Sequence, residues 1–366
     1  MQNPNIKVSV IVPCRNERQH IQPFLDSLRG QDLEGLDCEV LIADGMSTDG
    51  TREVVERMAL EQRSRDAGQA HIRVIGNPGR FVSQGLNAAI RAAQGEIILR
   101  MDCHTAYAPD YIQGCVAALY QTGADNVGGA ARTVAACPNQ GEGPLAGALA
   151  AAYASRFSTG GAKFHDPAYE GWVDTVTYGC WRKSTLLRLG LFDEELVRNQ
   201  DDELNLRLIR AGGRIWQSRR IVSWYRMRGS ISSLFRQYFQ YGFWKVKVIQ
   251  KHRIPASWRH LAPGAFAASN ILLAVCGAVL LLSGSPWAVW SAGIWAALLA
   301  AYVTACLFAS LVIARKSGWK LFPWLPLIFA TYHVSYGAGF LLGTLYWPLR
   351  RKGPARLWGF VADLTR

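Results

Sequence analysis

Short apolar runs alternate with stretches of helical periodicity through the first hundred residues. Residues 7–12 (Lys-Val-Ser-Val-Ile-Val) read as a buried strand that Pro13 ends, followed by a polar turn at Asn16-Glu17 and a helix near 18–29. Residues 39–43 form a second strand that stops at Asp44. Ser47-Thr48-Asp49-Gly50-Thr51 then reads as a turn with capping residues before a helix near 51–66. A third strand at 71–75, a helix over 85–93 and a fourth strand over 96–101 follow, the last stopping at Asp102. Strands alternating with helices predict a parallel sheet covered on both faces. Ligands of such sheets gather at the carboxyl ends of the strands, where Asp44 and Asp102 fall.

The pattern changes after about residue 230. Residues 230–260 are aromatic and basic, as in amphipathic helices that lie in a membrane interface. From Leu261 to Ala314 there is no Lys, Arg, Asp or Glu. One helix of that length would run about 80 Å, against a hydrocarbon core of about 30 Å. It must break, and Ser283-Gly284-Ser285-Pro286 is the place, giving spans near 262–283 and 287–313. A third uncharged run covers 321–349, with Pro323 and Pro326 permitting a broken, re-entrant or interfacial entry. The expected organisation is a cytosolic catalytic domain over 1–229, interface helices over 230–260, two to three transmembrane or re-entrant helices over 261–349, and a basic tail over 350–366.

Charge sharpens this picture. The net charge is +13. Residues up to Glu203 carry 19 Lys and Arg against 26 Asp and Glu, whereas the remainder carries 21 against Asp363 alone. The basic residues flank apolar runs, which points to anionic headgroups and away from nucleic acid. Eight basic residues over 226–260 put the N-terminal portion in the cytosol by the positive-inside rule, and Arg315, Lys316 and Lys320 fit a loop on the same side. A third full span would export Arg350, Arg351, Lys352 and Arg356, against that rule. No cleavable signal peptide is expected. The eight scattered cysteines, without a Cys-x-x-Cys pair, read as reduced thiols. Neither a Gly-x-Gly-x-x-Gly after the first strand nor a Gly-Lys-Ser/Thr motif is present, which disfavours a dinucleotide cofactor or an ATPase.

Val-Ser-Val-Ile-Val-Pro-Cys-Arg-Asn-Glu (8–17), Ile-Ala-Asp-Gly-Met-Ser-Thr-Asp-Gly-Thr (42–51), Gly-Leu-Asn-Ala-Ala-Ile (85–90), Asp102-Cys103-His104 and Gln200-Asp201-Asp202-Glu203-Leu204-Asn205-Leu206-Arg207 occur in the order and spacing of family 2 glycosyltransferases. The last resembles the family's Glu-Asp-x-x-Leu-x-x-Arg. The resemblance covers about residues 7–245. Arg-Met-Asp-x-His and a distal Tyr-x-x-x-Tyr-Gly-x-Gly (332–339) are most similar to the branch of succinoglycan glucosyltransferases. The resemblance implies a Rossmann-like GT-A fold, a nucleotide-sugar donor and inversion at the anomeric carbon.

It also implies roles. Pro13, Asn16, Glu17, Asp44, Arg80 and Asp102 would contact the nucleotide sugar, with UDP the expected nucleotide. Asp102 and His104 would hold a divalent metal against charge building on the leaving diphosphate. The family usually shows Asp-x-Asp here, and imidazole in place of a carboxylate favours Mn²⁺ over Mg²⁺. Asp201 would be the base that deprotonates the acceptor, with Asp202 and Glu203 as rivals. Each residue also has a plainer reading. Asp44 caps the next helix, Asp102 caps a turn, Glu17 pairs with an Arg, and Arg80 is solvated. The three acids cap a helix beginning at Leu204, and Cys103 is a buried filler.

Arg236, Gln237 and Trp244 sit where processive synthases carry Gln-x-x-Arg-Trp. That motif is absent, which favours transfer of one sugar. With Asp202, they are the acceptor or interface candidates, unless the helix is only an anchor. The Gly-rich stretch 160–179, with His165 and Asp174, is where the acceptor should bind. The expected enzyme sits in the inner (cytoplasmic) membrane as a multi-pass protein. It moves one sugar, glucose from UDP-glucose, to a polyprenyl-diphosphate-linked oligosaccharide in exopolysaccharide assembly. Membrane lipids and a polysaccharide assembly complex are the expected partners. A polyprenyl-phosphate monoglycosyl synthase and an inactive membrane scaffold are the alternatives.

Overall fold

A computed structural model describes residues 6–63, 70–134, 143–226 and 229–349. The chain start, Cys137 and the basic tail 350–366 lie outside the described residues. The chain divides into two compact units. One is drawn from Met1–Arg132 and Ala162–Arg226, the other from Thr133–Gly161 and Met227–Arg366. Residues 143–161 therefore group with the C-terminal helices, although they lie within the stretch expected to be catalytic.

The first unit follows the expected alternation: β1 (Ile6–Cys14), α1 (Ile21–Arg29), β2 (Leu36–Asp44), α2 (Thr51–Arg63), β3 (His71–Gly76), α3 (Val82–Ala92), β4 (Ile97–Arg100), β5 (Thr105–Tyr107), α4 (Tyr111–Thr122), β6 (Asn126–Gly128) and, at the boundary, β7 (Ala131–Val134). It resumes with β8 (Gly171–Val173), β9 (Cys180–Arg182), α7 (Lys183–Leu189), α8 (Gln200–Arg210), β10 (Ile215–Gln217) and β11 (Ser223–Arg226). β1 places alternate residues on opposite faces. Val8, Val10 and Val12 enter a core with Phe24, Leu25, Val54, Ile112 and Val116. Ile11 enters a second core with Leu86, Ile90, Leu186, Leu204 and Leu208. Helices thus cover both faces, as the period-2 pattern requires.

The sheet is mixed, which corrects the expectation of a parallel one. Its order is β3-β2-β1-β4-β9-β6-β10-β8. β1, β2, β3 and β4 are parallel, but β9 runs antiparallel to both β4 and β6. β9 is entered directly from residues 162–179 without a crossover helix, and parallel pairing needs such a crossover. A smaller sheet has the order β5-β11-β7.

Pro13 does not end β1, which continues to Cys14 in register with Asp44. The Ile11 carbonyl faces β4, accepting from Met101 N–H. Pro13, two residues on, turns its nitrogen to that same side, where the β4 register has already ended at Ile11. The missing N–H therefore costs no ladder bond.

The second unit contains α5 (Pro144–Tyr153), α6 (Arg156–Thr159), α9 (Ile231–His252), α10 (Ala262–Leu282), α11 (Trp287–Ser317) and α12 (Leu325–Leu349). α10, α11 and α12 are long and apolar enough to cross a membrane. The break between α10 and α11 falls at residues 283–286, as expected. α12 is continuous, so the broken entry is not seen. Pro326 lies in its first turn, where a helix needs no N–H. α9 is not a free amphipathic helix. Gly242 meets the Tyr336 carbonyl and Gly339 meets the Phe239 carbonyl so closely that neither position has room for a Cβ. His333 of α12 is held by the Tyr302 hydroxyl at 3.0 Å and the Phe157 carbonyl at 3.0 Å. The seven described cysteines are all free, and six of them are buried.

Candidate functional site

The carboxyl edge of β2-β1-β4 brings the sequence motifs together. Cys14 of β1 pairs with Asp44, and Ile11 pairs with Arg100, so Asp44 and Asp102 flank the end of β1. Strands about 4.8 Å apart put the two carboxylates on the order of 10 Å from each other.

The loops after β1 and β2 are fastened to each other. Asn16 N–H donates to Ser47 Oγ at 3.0 Å, and Thr48 N–H donates to Asn16 Oδ1 at 2.9 Å. Glu17 N–H donates to Thr51 Oγ1 at 2.9 Å, and Arg18 N–H to Asp49 Oδ2 at 3.0 Å. Asn16 tolerates its positive φ of 54° better than most side chains would. These bonds occupy Asn16 and shape the loop. Pro13 is half-buried at its root, and Glu17 lies 3.8 Å from His104 Nδ1 rather than beside an Arg.

Asp44 is buried. Its Oδ1 accepts from Ser47 N–H at 3.2 Å, while Oδ2 has no hydrogen bond and lies 3.8 Å from Arg52 Nη1. A buried, unfilled acceptor is costly to leave so, and it suits an N–H of a bound base. Arg80 is exposed on a tight turn with φ 66°. Among the described residues it forms no ion pair, which keeps it available to a diphosphate.

Arg100 is the residue that sequence reasoning missed. The last residue of β4, it keeps 6% of its side chain exposed. Its guanidinium forks onto Asp102, with Nε to Oδ1 at 3.0 Å and Nη2 to Oδ2 at 3.1 Å, while Nη1 donates to Asp201 Oδ1. The Tyr178 ring lies 5.9 Å from the guanidinium, and Arg100 N–H reaches the Gly179 carbonyl at 3.0 Å. Tyr107 accepts from Asp102 N–H at 2.7 Å. An Arg within Ile-Ile-Leu-Arg-Met was the available signal, because a buried Arg requires anionic partners.

Asp201 enters on α8, which begins at Gln200 and not at Leu204, so all three acids occupy its first turn. The preceding loop is fixed by α3. Asn87 accepts from Phe192 N–H and donates to the Phe192 carbonyl, both at 2.9 Å, and Ser83 Oγ reaches the Leu196 carbonyl at 2.6 Å. The Gly-Leu-Asn motif therefore works by aiming α8. Glu203 is fully buried and held by Arg207, at 2.8 Å from Nη2, which removes it as a base. Asp202 is half-buried.

Desolvation, with the charges of Asp102 and Asp202, outweighs the pull of Arg100 and raises the Asp201 carboxyl to about 6. Solvent reaches 37% of the side chain and limits that rise. With Asp201 proposed as the base, which acts when deprotonated, transfer is expected to increase with pH through about 6 and then level off. A cation on Asp102 would offset the charge that raises Asp201, moving this acid limb to lower pH. Rate profiles from pH 5 to 8 at low and saturating metal would check both points.

Among the described residues, no three His, Cys, Asp or Glu side chains gather to hold a metal unaided. Asp102 retains free lone pairs beside Arg100, and His104 is partly exposed with its ring edge against Tyr225. One carboxylate and one imidazole fit a cation whose remaining ligands are diphosphate oxygens. They do not fit a resident ion. Cys103 is buried in the core, as expected of a filler.

His165 packs at a tilt against Phe164, ring centroids 4.2 Å apart, in a short 3-10 turn, and Asp174 is half-buried. Arg236, Gln237 and Trp244 belong to the second unit. Arg236 is exposed and Gln237 donates to Tyr241 at 2.9 Å. Trp244 is not presented to an acceptor, because it is packed in the core of that unit against Trp347.

A mixed sheet covered on both faces, with acidic residues at the strand ends, has the architecture of a GT-A glycosyltransferase. The Glycosyl transferase family 2 profile matches residues 9–180. The chain is 34% identical over 298 residues to the succinoglycan biosynthesis protein ExoA of Rhizobium meliloti (strain 1021), covering 79% of this chain and 85% of that protein. It belongs to glycosyltransferase family 2. It is also 24% identical to a dolichyl N-acetyl-alpha-D-glucosaminyl phosphate 3-beta-D-2,3-diacetamido-2,3-dideoxy-beta-D-glucuronosyltransferase of Methanococcus voltae, over 92% of this chain and 97% of that one. Among solved structures, the mannosyltransferase PcManGT of Pyrobaculum calidifontis, in complex with GDP-Man and Mn²⁺, matches with a TM-score of 0.55 and 22% identity. The match covers 94% of this chain and 88% of that one.

Proposed function

We propose that this glycosyltransferase transfers one sugar, with inversion, from a nucleoside diphosphate to a lipid-linked oligosaccharide at the cytosolic face of the membrane. Glucose from UDP-glucose is the proposed donor, and exopolysaccharide assembly the proposed setting. The observation that carries this reading is Arg100, which holds Asp102 and Asp201 on one guanidinium. That arrangement holds two carboxylates on one guanidinium, one of them with its pKa raised.

Asp44 would take the N–H of the base on its unfilled oxygen, and the fastened Asn16 and Ser47 loops would shape the ribose pocket. Arg80 would pair with the diphosphate as a fork donor. A divalent cation, Mn²⁺ in preference to Mg²⁺, would be held by Asp102 and His104 and would supply Lewis-acid stabilisation of the leaving diphosphate. Asp201 would accept the proton of the acceptor hydroxyl as that oxygen attacks the anomeric carbon opposite the leaving group. Arg100 would keep the base oriented while its own charge remains fixed.

The named relatives support the setting: one is a succinoglycan biosynthesis protein, another transfers to a dolichyl-linked sugar phosphate. Basic flanks around apolar helices support a lipid-borne acceptor near anionic headgroups. The intact Asp44, Asp102 and Asp201 argue against an inactive scaffold.

A radiolabelled transfer assay in membranes tests the proposal, with a panel of nucleotide sugars and with polyprenyl-diphosphate and polyprenyl-phosphate acceptors. Transfer from UDP-glucose to the diphosphate-linked oligosaccharide is expected, and transfer only to polyprenyl phosphate would establish the monoglycosyl synthase instead. EDTA is expected to lower transfer at least tenfold, with recovery on adding Mn²⁺. Unchanged transfer in EDTA would remove the metal role of Asp102 and His104.

A further inference from the structure

α12 has the length and composition of a membrane span, yet its neighbours do not suit one. It lies alongside α9 in the same direction. The Tyr238 ring meets Tyr332 at 4.3 Å, Gly242 meets the Tyr336 carbonyl, and Trp244 meets Trp347 at 5.1 Å. Lys247 Nζ sits 5.2 Å from the Trp347 ring. Residue numbers climb together on both helices, so whatever depth α12 reaches, α9 reaches beside it. α9 carries Arg236, Lys245, Lys247 and Lys251. A basic side chain at the bilayer centre costs about 2.5–3.5 kcal/mol even on the lenient scale.

The hairpin of α10 and α11 behaves differently. The two helices pack antiparallel, with Phe266 against Tyr302 at 4.5 Å and Trp295 Nε1 donating to Asn270 at 3.0 Å. α12 meets this hairpin at Tyr302, whose hydroxyl reaches His333, and at the start of α10, where Gly337 meets Pro263 and Ala267, and Gly264 meets Phe340. Further out, Leu272, Val279, Leu282, Val289 and Trp290 are exposed. The most apolar parts of α10 and α11 are almost wholly exposed, whereas nearly half of that of α12 is buried. A third span running beside the hairpin would clothe its outer half. α10, at 21 residues, is about 31 Å long and matches a hydrocarbon core unaided.

Charge placement agrees. With one hairpin crossing, the basic stretch 226–260, the group Arg315, Lys316 and Lys320, and the group Arg350, Arg351, Lys352 and Arg356 all fall on one side. That satisfies the positive-inside rule, which three crossings would break. We infer that only α10 and α11 cross the membrane. α9 and α12 lie side by side in the headgroup layer of one leaflet, with Arg236, Lys247 and Lys251 of α9 facing anionic lipid and Lys245 buried within the protein. This inference does not depend on which sugar is moved.

The test places epitope tags on the full-length chain at the N-terminus, between Gly284 and Ser285, and after Arg366. Sealed vesicles of known orientation are then treated with protease. The two terminal tags should share one fate and the Gly284 tag the opposite one. A C-terminal tag that behaves like the Gly284 tag overturns the inference. If the Gly284 insertion blocks membrane integration, spin labels at Leu327→Cys and Leu345→Cys decide the matter. Equal, shallow depth in one leaflet supports the in-plane pair, and labels at opposite faces overturn it.

Discussion

Replacing Asp201 by Asn should lower the turnover of sugar transfer by about 10²–10⁴, the usual worth of a positioned base. The donor KM should stay within a few-fold of the wild type, because Asn keeps the shape of the side chain. It also keeps an oxygen that can still accept from Arg100 Nη1. Asp202→Asn, one position along the same first turn of α8, should retain most of the activity. Glu203→Gln should instead lose stability, since Glu203 is fully buried against Arg207. Steady-state transfer assays beside thermal melts separate the three. Full turnover in Asp201→Asn with loss in Asp202→Asn would move the base by one residue.

The second large effect is expected at Arg100. Removing it in Arg100→Ala leaves Asp102 and Asp201 facing each other without their shared cation. Breaking a fully buried ion pair by deleting one partner costs about 3–5 kcal/mol, and the cost here is smaller because solvent reaches 37% of the Asp201 side chain. The Asp201 carboxyl, already raised to about 6, loses the main influence that lowers it, so it should titrate higher still. The acid limb of the rate profile should therefore move to higher pH along with a lower melting temperature. Arg100→Lys restores a charge but not the fork onto both Asp102 oxygens. It should recover part of the stability and less of the activity. An Arg100→Ala protein with an unmoved acid limb would reduce Arg100 to a packing role.

What the sequence disclosed and what it concealed follow from the range of the forces involved. β1, β2, β3 and β4 were legible because each is a short apolar run bounded by polar turns. The ends of β2 and β4 were legible because a carboxylate follows the last apolar residue of each run. β9 was not, since three residues carry no period, and their direction depends on the loop that feeds them. The start of α8 was misplaced by four residues, because acids in a first turn look the same whether they precede the helix or belong to it. Arg100 was visible as a basic residue in an apolar strand, but its partners lie two and 101 positions away. Trp244 and Lys245 looked like an interfacial edge. Their burial reflects the glycines of α9 and α12, which let two backbones meet and which no local pattern on α9 reveals.

The central claim is that one carboxylate base acts on the acceptor from the side opposite the diphosphate. It is tested most directly by the anomeric configuration of the product formed from UDP-α-glucose, read by NMR on the released glycan. A β-linked glucose is expected. An α-linked product would mean retention, and no single displacement driven by Asp201 yields it.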